Sequence, residues 1–220
     1  HWMSTGYAHR ISQENFIASR RDHPHIGSVV ASLRSERSAL PNYVNLPERS
    51  HNDNGALTPG QDAGFLGGQF DPFWIEGHPH ETNFEVPSLK LDDRVSQARL
   101  RERSSLLKML NVDQPDLAWT QDVAGTDLFF DQALGLLNSK EAHHAFDLRQ
   151  ENDATRRRYG DWAFGQSLLL TRRLVEAGIP LVTVSWPRHR TDRIFKHWDT
   201  HSDGFNVLKK QLIPWADRPV

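Results

Sequence analysis

The clearest ordered pattern of apolar and polar positions lies between Tyr159 and Phe205. Phe164, Leu168, Thr171 and Val175 recur at helical spacing, with Leu170 and Leu174 on the adjoining stripe. Gly178 stands where a helix needs a left-handed cap, and Pro180 prevents the helix from resuming. Leu181-Val182-Thr183-Val184-Ser185-Trp186 then predicts a short strand of the kind buried in a parallel sheet. Nearer the start, His1 to Tyr7 reads as a helix end closing at Gly6. Pro24 to Leu33 reads as a short helix with Ile26, Val29, Val30 and Leu33 on one face, and Tyr43 to Leu46 as a strand. Helices alternating with strands predict an α/β fold: a mostly parallel sheet flanked by helices.

Between these elements the pattern changes twice. From Pro47 to Leu91, glycine, proline, asparagine and aspartate dominate around isolated aromatics at Phe65, Phe70, Phe73, Trp74 and Phe84. Disordered segments are poor in aromatics, so this stretch predicts an irregular, packed excursion over the sheet edge. Asp92 to Leu110 predicts a helix with Val95, Ala98, Leu106, Met109 and Leu110 on its apolar face and its arginines in solvent. Residues 128–137 predict another, and Lys140 to Asp147 a further turn or two. Neither a repeat nor a Gly/Ser linker divides the chain, which reads as a single partial domain over residues 1–220.

Composition narrows the chemistry. The 220 residues carry a formal charge of −2, which exerts no global pull toward nucleic acid or an anionic membrane. No apolar run is long enough to span a bilayer. With no cysteine, disulfides, thiolate catalysis and zinc–thiolate sites are excluded, while twelve histidines and seven tryptophans stand out. The compartment is not legible. The opening His1-Trp2-Met3 and the ending just after Ile213-Pro214-Trp215 read as parts of a longer protein.

The strongest constellation is Asp199, His201 and Asp203, with His197 and His189 nearby. Carboxylate and imidazole together suit a divalent metal, and ligands in open α/β sheets bind beyond the carboxyl ends of strands, where this loop follows the strand ending at Trp186. Three groups from one loop need partners from another strand end. The competing reading is a polar loop in which Asp199 or Asp203 caps the next helix. His78-Pro79-His80 with His51 reads as exposed, and His143-His144, neighbours on a helix, point to different faces. Gly64-Phe65-Leu66-Gly67-Gly68 lacks the spacing of a nucleotide loop.

Several phrases together resemble the uncharacterised, sulfatase-like "domain of unknown function 1501" family of the alkaline phosphatase superfamily. They are His1-Trp2-Met3-Ser4-Thr5-Gly6, Pro24-His25-Ile26-Gly27-Ser28, Gly64-Phe65-Leu66-Gly67 and Phe70-Asp71-Pro72-Phe73, then Ala145-Phe146-Asp147-Leu148 and Arg158-Tyr159-Gly160. Phe164-Gly165-Gln166, Leu174-Val175-Glu176-Ala177-Gly178 and Trp198-Asp199-Thr200-His201 complete the series.

That resemblance implies an alkaline-phosphatase-like sheet, incomplete here, and metal-dependent hydrolysis of phosphate or sulfate esters, with only part of the site in this chain. Asp199 and His201 are then the implied ligands of a divalent ion (zinc, calcium, magnesium or manganese). His1, Asp203 and His197 are implied to lie around them or to face substrate, and the nucleophile is implied to lie upstream of His1. The implied substrate is a small-molecule or saccharide ester, and the family implies export or the periplasm. The alternative expectation is a binding or scaffold protein that kept the fold and lost the chemistry.

Overall fold

The computed structural model describes residues 2–8, 17–34, 40–51, 55–86, 89–90, 133–187 and 203–219, and singly Ser96, Ala98, Arg99, Glu102, Ser105, Leu106 and Trp198. A short helical turn, α1 (Trp2–Thr5), ends at Gly6 with φ 73°. Helix α2 (Ile26–Leu33) leads to strand β1 (Val44–Leu46), two 3-10 turns (Gly64–Leu66 and Gly68–Phe70) and strand β2 (Phe73–Trp74). Helices α3 (Lys140–Phe146), α4 (Asp153–Tyr159) and α5 (Ala163–Glu176) precede strand β3 (Val182–Val184). Then come α6 (Gly204–Val207), one π-helical stretch (Leu208–Leu212) and α7 (Ile213–Asp217).

The sheet has the order β2-β1-β3 and is parallel throughout: Val44 registers with Phe73 and Val182, and Asn45 with Trp74 and Thr183. The α/β expectation therefore holds at this level. β1, paired on both sides, is fully buried, whereas β3, paired with β1 alone among the described residues, is half-buried. The excursion does more than cross the sheet edge. It supplies β2, and it sends Ile75, Val86 and Leu89 into the core.

The two faces of the sheet differ in kind because successive side chains alternate. Val44 and Leu46 point into an apolar cluster with Leu169, Leu170 and Leu174 of α5, Phe146 of α3 and Ile179, and Phe73, Val182 and Val184 pack at its margin. Each buried leucine contributes roughly 1.5–3 kcal/mol. Tyr43, Asn45 and Thr183 lie outside that cluster, on the opposite face.

Helix α5 forms as expected but buries a different stripe. Ala163, Gln166, Ser167, Leu170, Arg173 and Leu174 turn inward at helical spacing, while Val175 is 52% exposed. Polar side chains can occupy that stripe because each has a partner: Ser167 Oγ donates to the Ala163 carbonyl at 2.7 Å, and Arg173 serves the end of α3. The predicted glycine cap is present. Gly178 has φ 101°, and the Ile179 N–H reaches back to the Leu174 carbonyl at 3.0 Å.

Helix α2 departs further from expectation. Ile26 and Leu33 are 59% and 80% exposed, and the buried residues are Gly27, Ser28 and Ala31. The Tyr43 ring explains this choice: a Cβ on Gly27 would lie 2.4 Å from it, so only a small-residue face can seat there. Of the helix read over Asp92 to Leu110, the described helical residues are Ala98, Arg99, Glu102, Ser105 and Leu106. All are exposed, including Ala98 and Leu106, which had been assigned to its apolar face. Residues 133–138 and α3 match the two later helices.

Candidate functional site

Of the candidate site residues, His1, His197, Asp199 and His201 lie outside the described residues, as does His189. Asp203 is described. It occupies the N-cap position of α6 with φ 52° but makes no side-chain cap; its Oδ1 instead accepts from Asn206 Nδ2 at 2.6 Å. Among the described residues no group of three or more His, Cys, Asp or Glu is placed to hold a metal ion.

What is built at the carboxyl end of β3 is aromatic. Trp186, two residues beyond the strand, sits 4.6 Å from the Phe164 ring of α5. Trp198, the residue before Asp199 in sequence, meets Trp186 edge-on at 5.2 Å. The backbone of the strand end is held too, since the Ser185 N–H donates to the Leu46 carbonyl at 2.8 Å.

A second polar assembly fills the seam between α2 and the sheet. His25, the N-cap of α2, accepts the Gly27 N–H on Nδ1 at 2.9 Å. The same nitrogen lies 2.7 Å from Tyr43 Oη, which in turn lies 3.3 Å from Thr183 Oγ1 of β3. The two rings stack at 5.0 Å. Because Nδ1 takes a backbone donor, the neutral ring carries its proton on Nε2. Burial pulls the imidazole down to about 4 and pushes the Tyr43 phenol up. Asn45 Oδ1 and Ser28 Oγ are buried nearby in sequence without a hydrogen-bond partner among the described residues. Sequence reasoning assigned His25 to a helix start without a role. A histidine immediately before the first turn, with a glycine two residues on, was the available signal.

The other described histidines contact backbone carbonyls, a neighbouring side chain or each other. His143 Nε2 lies 3.0 Å from the Leu137 carbonyl, and the His144 carbonyl accepts from Arg173 Nη2 at 2.6 Å. His78 and His80 meet edge-on at 5.7 Å, and His51 Nδ1 lies 3.0 Å from the Arg49 carbonyl.

The family phrases acquire physical reasons here. Gly160, at φ 89°, ends α4, and a Cβ on Gly165 would lie 2.0 Å from the Tyr159 carbonyl oxygen, so α5 can begin only against a bare glycine. The model of the family described as "Protein of unknown function (DUF1501)" matches residues 1–220. The chain belongs to this family. No curated protein and no solved structure matches the DUF1501 chain. Nor is any helix among its described residues long and apolar enough to cross a membrane.

Proposed function

We propose that this DUF1501 chain contributes part of a divalent-metal site in a hydrolase of phosphate or sulfate esters, similar to the sulfatases of the alkaline phosphatase superfamily. The observation that carries the reading is the packing of Trp198 on Trp186 beyond the carboxyl end of β3, because Trp198 directly precedes the Asp199-x-His201 pair. In parallel α/β sheets that edge is where ligands bind. The phrases shared with the family add support along the whole chain.

Asp199 and His201 would hold the ion, a carboxylate and an imidazole being donors that zinc and manganese both accept. Such an ion, when bound, supplies positive charge that polarises an ester oxygen and offsets charge on the transferred group. The chain's own share is positional. Phe164, Trp186 and Trp198 form a cluster of rings whose last member directly precedes Asp199 in sequence, and Ser185 pins the end of the strand to β1.

Metal analysis of the protein beside Asp199→Ala and His201→Ala tests the reading. Loss of bound metal in both variants, with turnover of aryl phosphates or sulfates by the parent, supports it; unchanged metal content in both sinks the ligand assignment. Metal binding without turnover of any ester would favour a scaffold that kept the fold and lost the chemistry.

A further inference from the structure

We propose that the seam between α2 and the sheet is an acid-released latch, with His25 as its trigger. One ring nitrogen makes two contacts to two different parts of the fold: Nδ1 takes the Gly27 N–H at 2.9 Å and lies 2.7 Å from Tyr43 Oη. A ring nitrogen has one lone pair, here shared between the two donors, and can receive them only while it carries no proton. In the closed state Tyr43 therefore donates to Nδ1, and its phenol oxygen is left to accept from Thr183 Oγ1.

A proton on Nδ1 changes both contacts, though not equally. The Tyr43 contact can survive by turning round, with the imidazolium donating to the phenol oxygen and the phenol proton moving toward Thr183. The Gly27 contact cannot, because two N–H groups then face each other. Gly27 is also the residue at which α2 lies flat on the Tyr43 ring. Losing its acceptor thus releases the first turn of α2 from the surface that seats it.

Among the described residues, the two carboxylates nearest the seam in sequence or across it are engaged by other groups. Helix α2 itself, Ile26–Leu33, contains no titratable side chain. In the preceding segment, the Asp22 carboxylate accepts the Ser19 N–H at 2.7 Å, and His23 stacks on Tyr7 at 3.9 Å. On the loop facing the seam, the Asp62 carbonyl accepts the His25 N–H at 3.0 Å. The Asp62 carboxylate faces elsewhere, toward Trp74 Nε1 at 3.4 Å and Arg49 at 3.7 Å. β1 is preceded by Tyr43 and β3 contributes Thr183, neither of which is charged at these pH values. Burial is the larger of two effects that favour the neutral ring, the other being repulsion from the amino-terminal charge, in line with its lowered pKa. The latch is closed above the ordinary histidine value of 6.5 and opens progressively as pH falls toward about 4.

Amide hydrogen exchange resolved by residue, with the imidazole followed by nitrogen NMR, tests this in the wild-type protein. The expected result is an Nε2–H tautomer at neutral pH. Between about pH 7 and pH 4.5, protection at Gly27 should fall at least about tenfold after correction for free-amide exchange, while Leu169 to Leu174 of α5 stay protected. In His25→Asn, whose amide oxygen caps without titrating, Gly27 protection should stay level across that range. An Nδ1–H tautomer at neutral pH would overturn the proposal. So would unchanged Gly27 protection while the imidazole titrates, or a loss shared equally by α5.

Discussion

Gln166 donates through Nε2 to the Gly160 carbonyl at 2.7 Å, tying the first turn of α5 to the glycine that ends α4. The same amide nitrogen reaches the Arg156 carbonyl at 2.9 Å, and Oε1 accepts from Arg156 Nε at 3.1 Å. One buried side chain thus serves two carbonyls at a helix end, where the last turn lacks partners of its own. In Gln166→Leu both carbonyls lose that donor, and the free energy of unfolding should fall by about 3 kcal/mol. Urea denaturation measures it. A loss below about 0.5 kcal/mol would show that the two carbonyls find other donors.

Glycine positions separate close approach from mere conformational freedom. Gly165→Ala would drive a methyl group into the Tyr159 carbonyl oxygen, so α4 and α5 must part, at a cost of about 2–4 kcal/mol. Gly135, helical and with nothing among the described residues within 4 Å of its notional Cβ, should behave oppositely. Gly135→Ala should raise stability by about 0.5–1 kcal/mol. Thermal unfolding of the two variants side by side checks the pair. Equal effects would contradict the packing described for Gly165.

Glu151 accepts from both Arg173, at 2.8 Å, and Arg172, at 2.9 Å. Burial opposes ionisation of its carboxyl, but the two guanidiniums outweigh it and hold the group below its ordinary 4.5. A depressed native pKa means stabilisation that is complete above that ordinary value and is lost as pH falls through the lower native one. Glu151→Gln should therefore be less stable at neutral pH and show a shallower decline in the acid range. Stability measured from about pH 6 to pH 3 reads both effects. A decline as steep as that of wild type would assign the acid sensitivity to other groups.

Arg173 is buried and also caps α3, donating to the Ala145 carbonyl at 3.2 Å and the His144 carbonyl at 2.6 Å. In Arg173→Met the methylene volume is kept while those carbonyls go unserved. The expected loss is about 2–3 kcal/mol, moderated because Arg172 still pairs with Glu151. Exchange protection in α3 should fall more than in α4; an even loss across both helices would argue against the capping role.

Much of this architecture was legible from residue order because its causes are local. The Gly178 cap, the stop at Pro180 and the strand that follows depend on neighbouring backbone, and each appears where expected. The buried faces were misread where the cause is distant. Helix α2 has larger apolar residues on the face that ended up in solvent, because Tyr43, sixteen residues beyond Gly27, takes the space those side chains would need. In α5, the apolar spacing takes no account of Gln166 and Arg173, which are buried. Their partners are the ends of α4 and α3, which periodicity within α5 does not report. β2 was hidden in the excursion because two residues, Phe73 and Trp74, are too few to display alternation. At the candidate site, residue types alone pointed to Asp199 and His201, whereas the ring cluster beyond β3 required the fold: Trp186 and Trp198 are twelve positions apart in sequence, and Phe164 is on a helix.

The three residues of β1 also determine how the sheet can be mispaired. Val44 and Leu46 face the apolar cluster, while Asn45 faces the α2 side. A slip of one residue against β2 and β3 would thrust the Asn45 amide among Leu169, Leu170 and Leu174 and turn two aliphatic side chains toward His25. Both errors are unfavourable at once, so the strand's alternation proofreads its own alignment during folding. Asn45→Val should weaken that discrimination. Although it removes a buried amide whose oxygen has no partner among the described residues, it would leave a strand able to pair in either frame.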